Sequence, residues 1–137
     1  ARCGSPMTEE QRNDIVRYRI ENAVDTLKEV LDHCESGYFN TAVNRLYYAC
    51  YYAATALLVA NCIETKSHDG VRQMLGKEFI LTGKIPVELG RFYSIAFSKR
   101  SAGDYEDFIT HTRETVMELY PQAERFVECV KELLGKN

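Results

Sequence analysis

The chain has 137 residues, 17 Lys and Arg against 20 Asp and Glu, and 45% hydrophobic residues, a length and apolar content that suit one domain with a packed core. A charged fraction of 27% with 11% aromatics argues against disorder, and no stretch approaches the roughly 18 consecutive apolar residues of a membrane span. The net charge of −3 excludes a protein that coats nucleic acid by bulk charge, although not one with a local basic patch.

With only 8 Gly and 3 Pro, long uninterrupted elements are expected. Residues 1–6 precede Met7, a plausible start, and are expected to be a cloning remnant, leaving residues 7–137 as a single domain. The first helix is announced at Thr8, which stands in capping-box spacing to Gln11, with Glu9 and Glu10 in the first turn. Val16, Ile20, Ala23, Leu27, Val30 and Cys34 then recur in the rhythm of a one-sided helix that Gly37 ends. A second helix over residues 40–63 is apolar nearly all round, which fits a helix in the middle of the domain. Ala42, Ala49, Ala53, Ala56 and Ala60 cover one narrow face of it. Tyr47, Tyr48, Tyr51 and Tyr52 occupy another arc of about 140°. A buried phenol needs a partner, so a polar network or an interface is expected there.

Ser67 is a good N-cap for a third helix reaching residue 81, followed by a loop at Thr82, Gly83 and Lys84. Pro86 then sits where a first helical turn tolerates proline, opening a fourth helix over residues 87–99. Ser101, Ala102 and Gly103 are expected to break it. The last helix spans residues 104–134, with apolar positions at Phe108, Thr112, Val116, Leu119, Ala123, Phe126, Val130 and Leu133, and Pro121 is expected to kink it. No period-2 run of β-branched residues survives four positions, so the expected fold is all-α, an up-and-down bundle of about five helices without a sheet.

The five cysteines contain no C-x-x-C pair and do not cluster with His33, His68 or His111, so no metal site and no cofactor are expected. Cys50 and Cys62 lie in apolar stretches and read as small core residues, and the compartment reads as reducing cytoplasm. Charge is uneven. Between residues 66 and 100, seven basic residues face three acidic ones, a modest pointer to an anionic ligand near the short helices.

Arg45-Leu-Tyr-Tyr-Ala-Cys-Tyr-Tyr-Ala-Ala-Thr-Ala-Leu-Leu58 resembles the second helix of HEPN-domain proteins. Lys66-Ser-His-Asp-Gly-Val71, Gly76-Lys-Glu-Phe79, Thr82-Gly-Lys-Ile-Pro86 and Arg100-Ser-Ala-Gly-Asp-Tyr105 follow in the order of a small stand-alone prokaryotic subgroup. The resemblance implies a helical bundle that forms homodimers. It also implies kinship with metal-independent endoribonucleases, some of them toxins paired with a small nucleotidyltransferase antitoxin. Their motif places a His four to six residues beyond an Arg and its polar neighbour. The Arg fork clamps a phosphate and the His moves protons at ribose oxygens.

Here Arg100 and Ser101 fit that motif, but Tyr105, Glu106 and Asp107 stand where the His belongs. A tyrosine of ordinary pKa is only about one part in a thousand phenolate at neutral pH, so Tyr105 suits proton donation or phosphate binding better than base catalysis. Tyr105 is also the position where the resemblance puts nucleotide modification by the antitoxin. His68, at the start of the third helix beside Lys66 and Arg72, is the histidine placed to meet an anion, with Lys99 a further phosphate contact. His111 and a structural role for His68 are the competing readings, and an Asp104 pair would mute Arg100. Two functions therefore stand: an RNA-cleaving, toxin-like protein acting through Arg100, Ser101 and Tyr105, or a non-catalytic module binding nucleotide, RNA or a nucleotidyltransferase.

Overall fold

Capping chemistry sets both ends of the first helix in a computed structural model that describes Gly4 and residues 7–135. The expectation of a cloning remnant at residues 1–6 lies outside those residues apart from Gly4. Helix α1 (Glu9–Glu35) starts from a complete capping box: Thr8 Oγ1 accepts from the Gln11 amide, and Gln11 Oε1 accepts from the Thr8 amide. It ends in a Schellman motif, with the Tyr38 amide donating to the His33 carbonyl and Gly37 at φ +84. A three-residue connection then forces α2 (Phe39–Ala60) to turn back along α1.

Helix α2 is the centre of the domain. It packs against α1, α3 (His68–Leu75), α4 (Val87–Tyr105) and α5 (Arg113–Gly135). Its alanine face is buried at Ala42, Ala49, Ala53 and Ala56, where small side chains permit close helix approach. The core closes around it with Leu46, Leu57, Phe92, Val116 and Phe126. Burying one such large side chain is worth about 1.5–3 kcal/mol, so the all-round apolar sequence of α2 dictates its central place. Among the described residues there is no strand and no helix long and apolar enough to cross a membrane.

Three local expectations are corrected. The third helix does not run regularly to residue 81: after Leu75 it widens into a π-helical turn, Gly76–Ile80, closed by the Leu81 amide on the Gly76 carbonyl. Cys62 is not a core thiol like the fully buried Cys50. It sits just past α2 at φ +63, half-buried and held in a disulfide.

The third correction matters most for function. Ser101, Ala102 and Gly103 do not break the fourth helix, which continues to Tyr105, and the last helix begins at Arg113 rather than at residue 104. Gly103 is there for close approach. A Cβ on it would lie 2.9 Å from His111 Nε2. Phe108, expected on the apolar face of the last helix, lies instead in the connection, at φ +64 and fully exposed. Helix α5 runs on through Pro121 and buries Val116, Leu119, Ala123, Phe126 and Val130 as the spacing predicts. Asn40 clamps the connection to α2. Its amide donates to the carbonyls of Gly103 and Ile109, and its Oδ1 accepts from the His111 amide at 2.7 Å.

Asn40→Ala removes all three bonds and strands part-buried backbone groups, so a loss of about 2 kcal/mol is expected. In thermal unfolding this reads as a melting temperature lower by about 8 °C; an unchanged transition would show that the clamp does not hold the connection.

Candidate functional site

Arg100 projects from the penultimate turn of α4 into a cage of aromatic rings. Its Cζ lies 4.7 Å from the Tyr47 ring centroid, 5.6 Å from Tyr48, 5.9 Å from Phe97 and 5.8 Å from Tyr105. The side chain is only 6% exposed, and Nε is buried without a hydrogen-bond partner. A cation so far from water needs compensation, which the negative ring faces and one carboxylate supply. That carboxylate is Asp104, whose Oδ2 stands 3.8 Å from Nη1 and also accepts from the Asn44 amide at 2.8 Å. The 3.8 Å separation is an ion pair without a hydrogen bond, so the guanidinium keeps unspent donors.

The rings that hold Arg100 also hold His68. Its Nδ1 lies 2.8 Å from the Tyr47 hydroxyl, and its imidazole stacks on Tyr51 with centroids 4.2 Å apart. Ser67 positions the residue: its Oγ accepts from the Gly70 amide and starts α3 at His68. Partial burial, reinforced by the Arg100 charge, holds the imidazole pKa below its ordinary value, so His68 is neutral at pH 7.

Donor accounting then assigns its tautomer. Tyr47 is fully buried, and burial pushes its pKa up to about 12 against the opposing pull of Tyr93 and Arg100, so its hydroxyl stays protonated. With that phenol as the donor across the 2.8 Å contact to Nδ1, neutral His68 carries its own proton on Nε2. Nε2 makes no hydrogen bond to a described residue and is not among the buried polar atoms sealed from solvent. The pair thus offers an incoming anion a fixed cation and a neutral N–H donor.

The other residues singled out in the sequence divide. Arg72 joins the edge of the cage, 5.3 Å from the Phe97 ring, but spends charge on Asp69 at 2.6 Å. Tyr105 is three-quarters exposed beside Arg100. Ser101 is half-buried on α4, and its hydroxyl makes no hydrogen bond to a described residue. Lys66 is exposed, two residues before His68. The Lys99 side chain makes no hydrogen bond or ion pair with a described residue of the cage; its carbonyl instead receives the His111 imidazole at 2.8 Å, which makes His111 a strut for the connection. Sequence reasoning left Tyr47 in an arc of four tyrosines without a role. The usable signal was a phenol at a wholly buried α2 position, which had to find a partner. Among the described residues no group of His, Cys, Asp and Glu is arranged to hold a metal ion.

The chain is similar in sequence to known proteins. A family model described as the HEPN domain matches residues 16–133. A "UPF0332 protein" of Thermotoga maritima is 32% identical over 124 residues, covering 90% of this chain and 94% of its own. "Putative toxin MJ0142" of Methanocaldococcus jannaschii is 34% identical, covering 86% of this chain and 81% of its own, and "Putative toxin MJ0605" of the same organism is 30% identical over 126 residues.

Two measurements follow from the imidazole. Tyr47→Phe keeps the ring under Arg100 but frees Nδ1, so nitrogen-15 spectra of His68 should pass from one Nε2–H tautomer to a mixture; identical spectra would contradict the donor assignment. The unfolded chain also takes up a proton at His68 near pH 6.5, before the folded one does. The stability due to neutral His68 is therefore complete above about pH 6.5 and is lost as pH falls below it, and His68→Gln should flatten that part of the stability–pH curve.

Proposed function

Because the chain belongs to the HEPN domain family, we propose that it is a toxin-like endoribonuclease that cleaves RNA without a metal ion, with His68 supplying the imidazole that the Arg100 motif lacks. The observation that carries this reading is the meeting of Arg100 and His68 on Tyr47, from residues 32 positions apart in sequence. Arg100 holds the scissile phosphate and offsets the charge that builds in its transition state. His68 Nε2–H donates a hydrogen bond to the same phosphate. The adjacent ribose 2′-hydroxyl attacks phosphorus and gives its proton to solvent while the departing 5′-oxygen takes a proton from solvent, leaving a 2′,3′-cyclic phosphate and a 5′-hydroxyl. Tyr47 keeps its proton and holds Nδ1 in place. Ser101 and Tyr105 at the rim, with Arg72, bind the phosphate, and Lys66 and Lys99 extend the basic approach. The toxin names of two relatives support the class.

A second reading keeps the same pocket as a binding module for nucleotide or RNA. The observation that favours it is the near-complete burial of Arg100 beside Asp104, which limits how far the guanidinium can follow a reacting phosphate.

The assembly proposed with this function is a homodimer regulated by a small nucleotidyltransferase antitoxin in the cytoplasm. Tyr105 is exposed beside Arg100 and Phe108 and Ile109 are exposed in the connection that follows, and a fully exposed phenylalanine in a left-handed backbone conformation is an unfavourable place for an unpaired side chain. The Tyr105 hydroxyl is reachable for nucleotide transfer, and a bulky anion there would cover Arg100. In sedimentation the wild type should exceed the 15.7 kDa monomer and Phe108→Glu should return it to that mass; a monomeric wild type at high concentration removes the dimer from the proposal.

In EDTA, wild-type protein should cleave unstructured RNA. His68→Ala and Arg100→Ala should each lower the rate by about 10²-fold or more, as loss of a transition-state donor does. RNA binding without cleavage by the wild type would favour the binding module, and cleavage undiminished in both variants would refute the site.

A further inference from the structure

We propose that the cavity between α1 and the connection from α2 to α3, lined by Arg12, Arg19 and Lys66 and walled at one side by Gly4 and Met7, holds phosphates of the RNA strand flanking the phosphodiester at Arg100. The inference rests on the RNA-directed reading above. The cavity has a volume of about 770 Å³, within the range of sites that take a nucleotide-sized group. Arg12 and Arg19 stand seven residues apart on α1 and therefore share a face. Lys66 faces the same space from the connection between α2 and α3, and Leu58 and Ile63 supply an apolar floor.

Arg17, Arg45 and Arg72 each pair with a carboxylate, whereas Arg12, Arg19 and Lys66 make no ion pair among the described residues. Glu64 is the single acid in the wall among the described residues, so the cavity keeps a positive excess in a chain whose net charge is −3. Three like charges converging on one space without partners repel each other, and a polyanion relieves that repulsion. Phosphates can meet the cations while ribose or base rests on the floor, a division that suits single-stranded RNA.

Two of its cations also lead toward the site. Lys66 lies two residues before His68, and Arg19 is close enough for its charge to act on the Tyr51 phenol, the ring stacked on the imidazole. A strand whose phosphate sits at Arg100 and His68 therefore finds its next cations in this direction. The sequence charge count did not reveal it, because Arg12 and Arg19 belong to α1, far from the basic segment between residues 66 and 100.

The test measures binding against salt with two probes, an unstructured RNA of about 12 nucleotides made uncleavable by 2′-O-methylation, and a 2′-O-methylated dinucleotide. Each single-strand phosphate contact contributes about 0.7 to the slope of log K against log salt. Replacing both arginines (Arg12→Gln with Arg19→Gln) should flatten the slope for the longer RNA by about 1.4 and leave the dinucleotide bound as by wild type. Lys66→Gln, in a connection rather than a helix, should flatten it by about 0.7 and serves if the double variant does not fold. An unchanged slope in variants that fold, with Arg100→Ala weakening both probes, overturns the cavity assignment and leaves the RNA-directed reading standing. Equal loss of the dinucleotide in the double variant overturns it too, since the cavity would then hold the nucleotide itself. A wild type that binds neither probe overturns both.

Discussion

A buried guanidinium is the constraint around which this site is built. Arg100 lies nine-tenths or more out of water, and a cation placed there costs several kcal/mol unless its surroundings return the lost solvation. Four ring faces and the Asp104 carboxylate do so, and desolvated cation–π contacts reach about 2 kcal/mol each. The rings come from α2, α4 and the end of α4, so caging the charge also fixes how α4 crosses α2. Deleting Arg100 alone leaves an apolar hole and an Asp104 without its cation. Deleting a ring exposes the cation to a poorer environment.

The same rings impose order on the neutral partner. Tyr47 contributes its face to Arg100 and its hydroxyl to His68, so one buried side chain orients both functional groups. Tyr51 stacks from the other side and limits rotation of the imidazole. Such preorganisation means that a donor already aimed need not be reoriented when an anion arrives. It also explains why burial and the Arg100 charge act together on His68: both disfavour a second cation in a site that already contains one.

Much of the local structure was legible because its causes are local. The Thr8–Gln11 capping box, the Gly37 stop and the Ser67 N-cap each depend on residues within a few positions, and each forms as its spacing requires. The all-round apolar character of α2 likewise fixed its central position. The reading failed where a residue had two meanings. Gly103 has the look of a helix breaker, yet it is a point of close approach to His111, and the helix continues through it because Asn40 and His111 satisfy the connection beyond. Moving that break moved Arg100, Ser101 and Asp104 onto α4 and left Phe108 in solvent.

The amino-acid order alone carries the helices, their caps, the buried centre and the family likeness, because backbone propensity, capping and hydrophobic period act over a few residues. It also exposed a defect, an Arg motif without its histidine. That His68 and Arg100 share one tyrosine emerges from folding, because the pairing depends on how α3 and α4 pack on α2. No spacing along the chain encodes that distance. It arises from a buried phenol that must hydrogen-bond and a buried cation that must be solvated, and one side chain meets both demands.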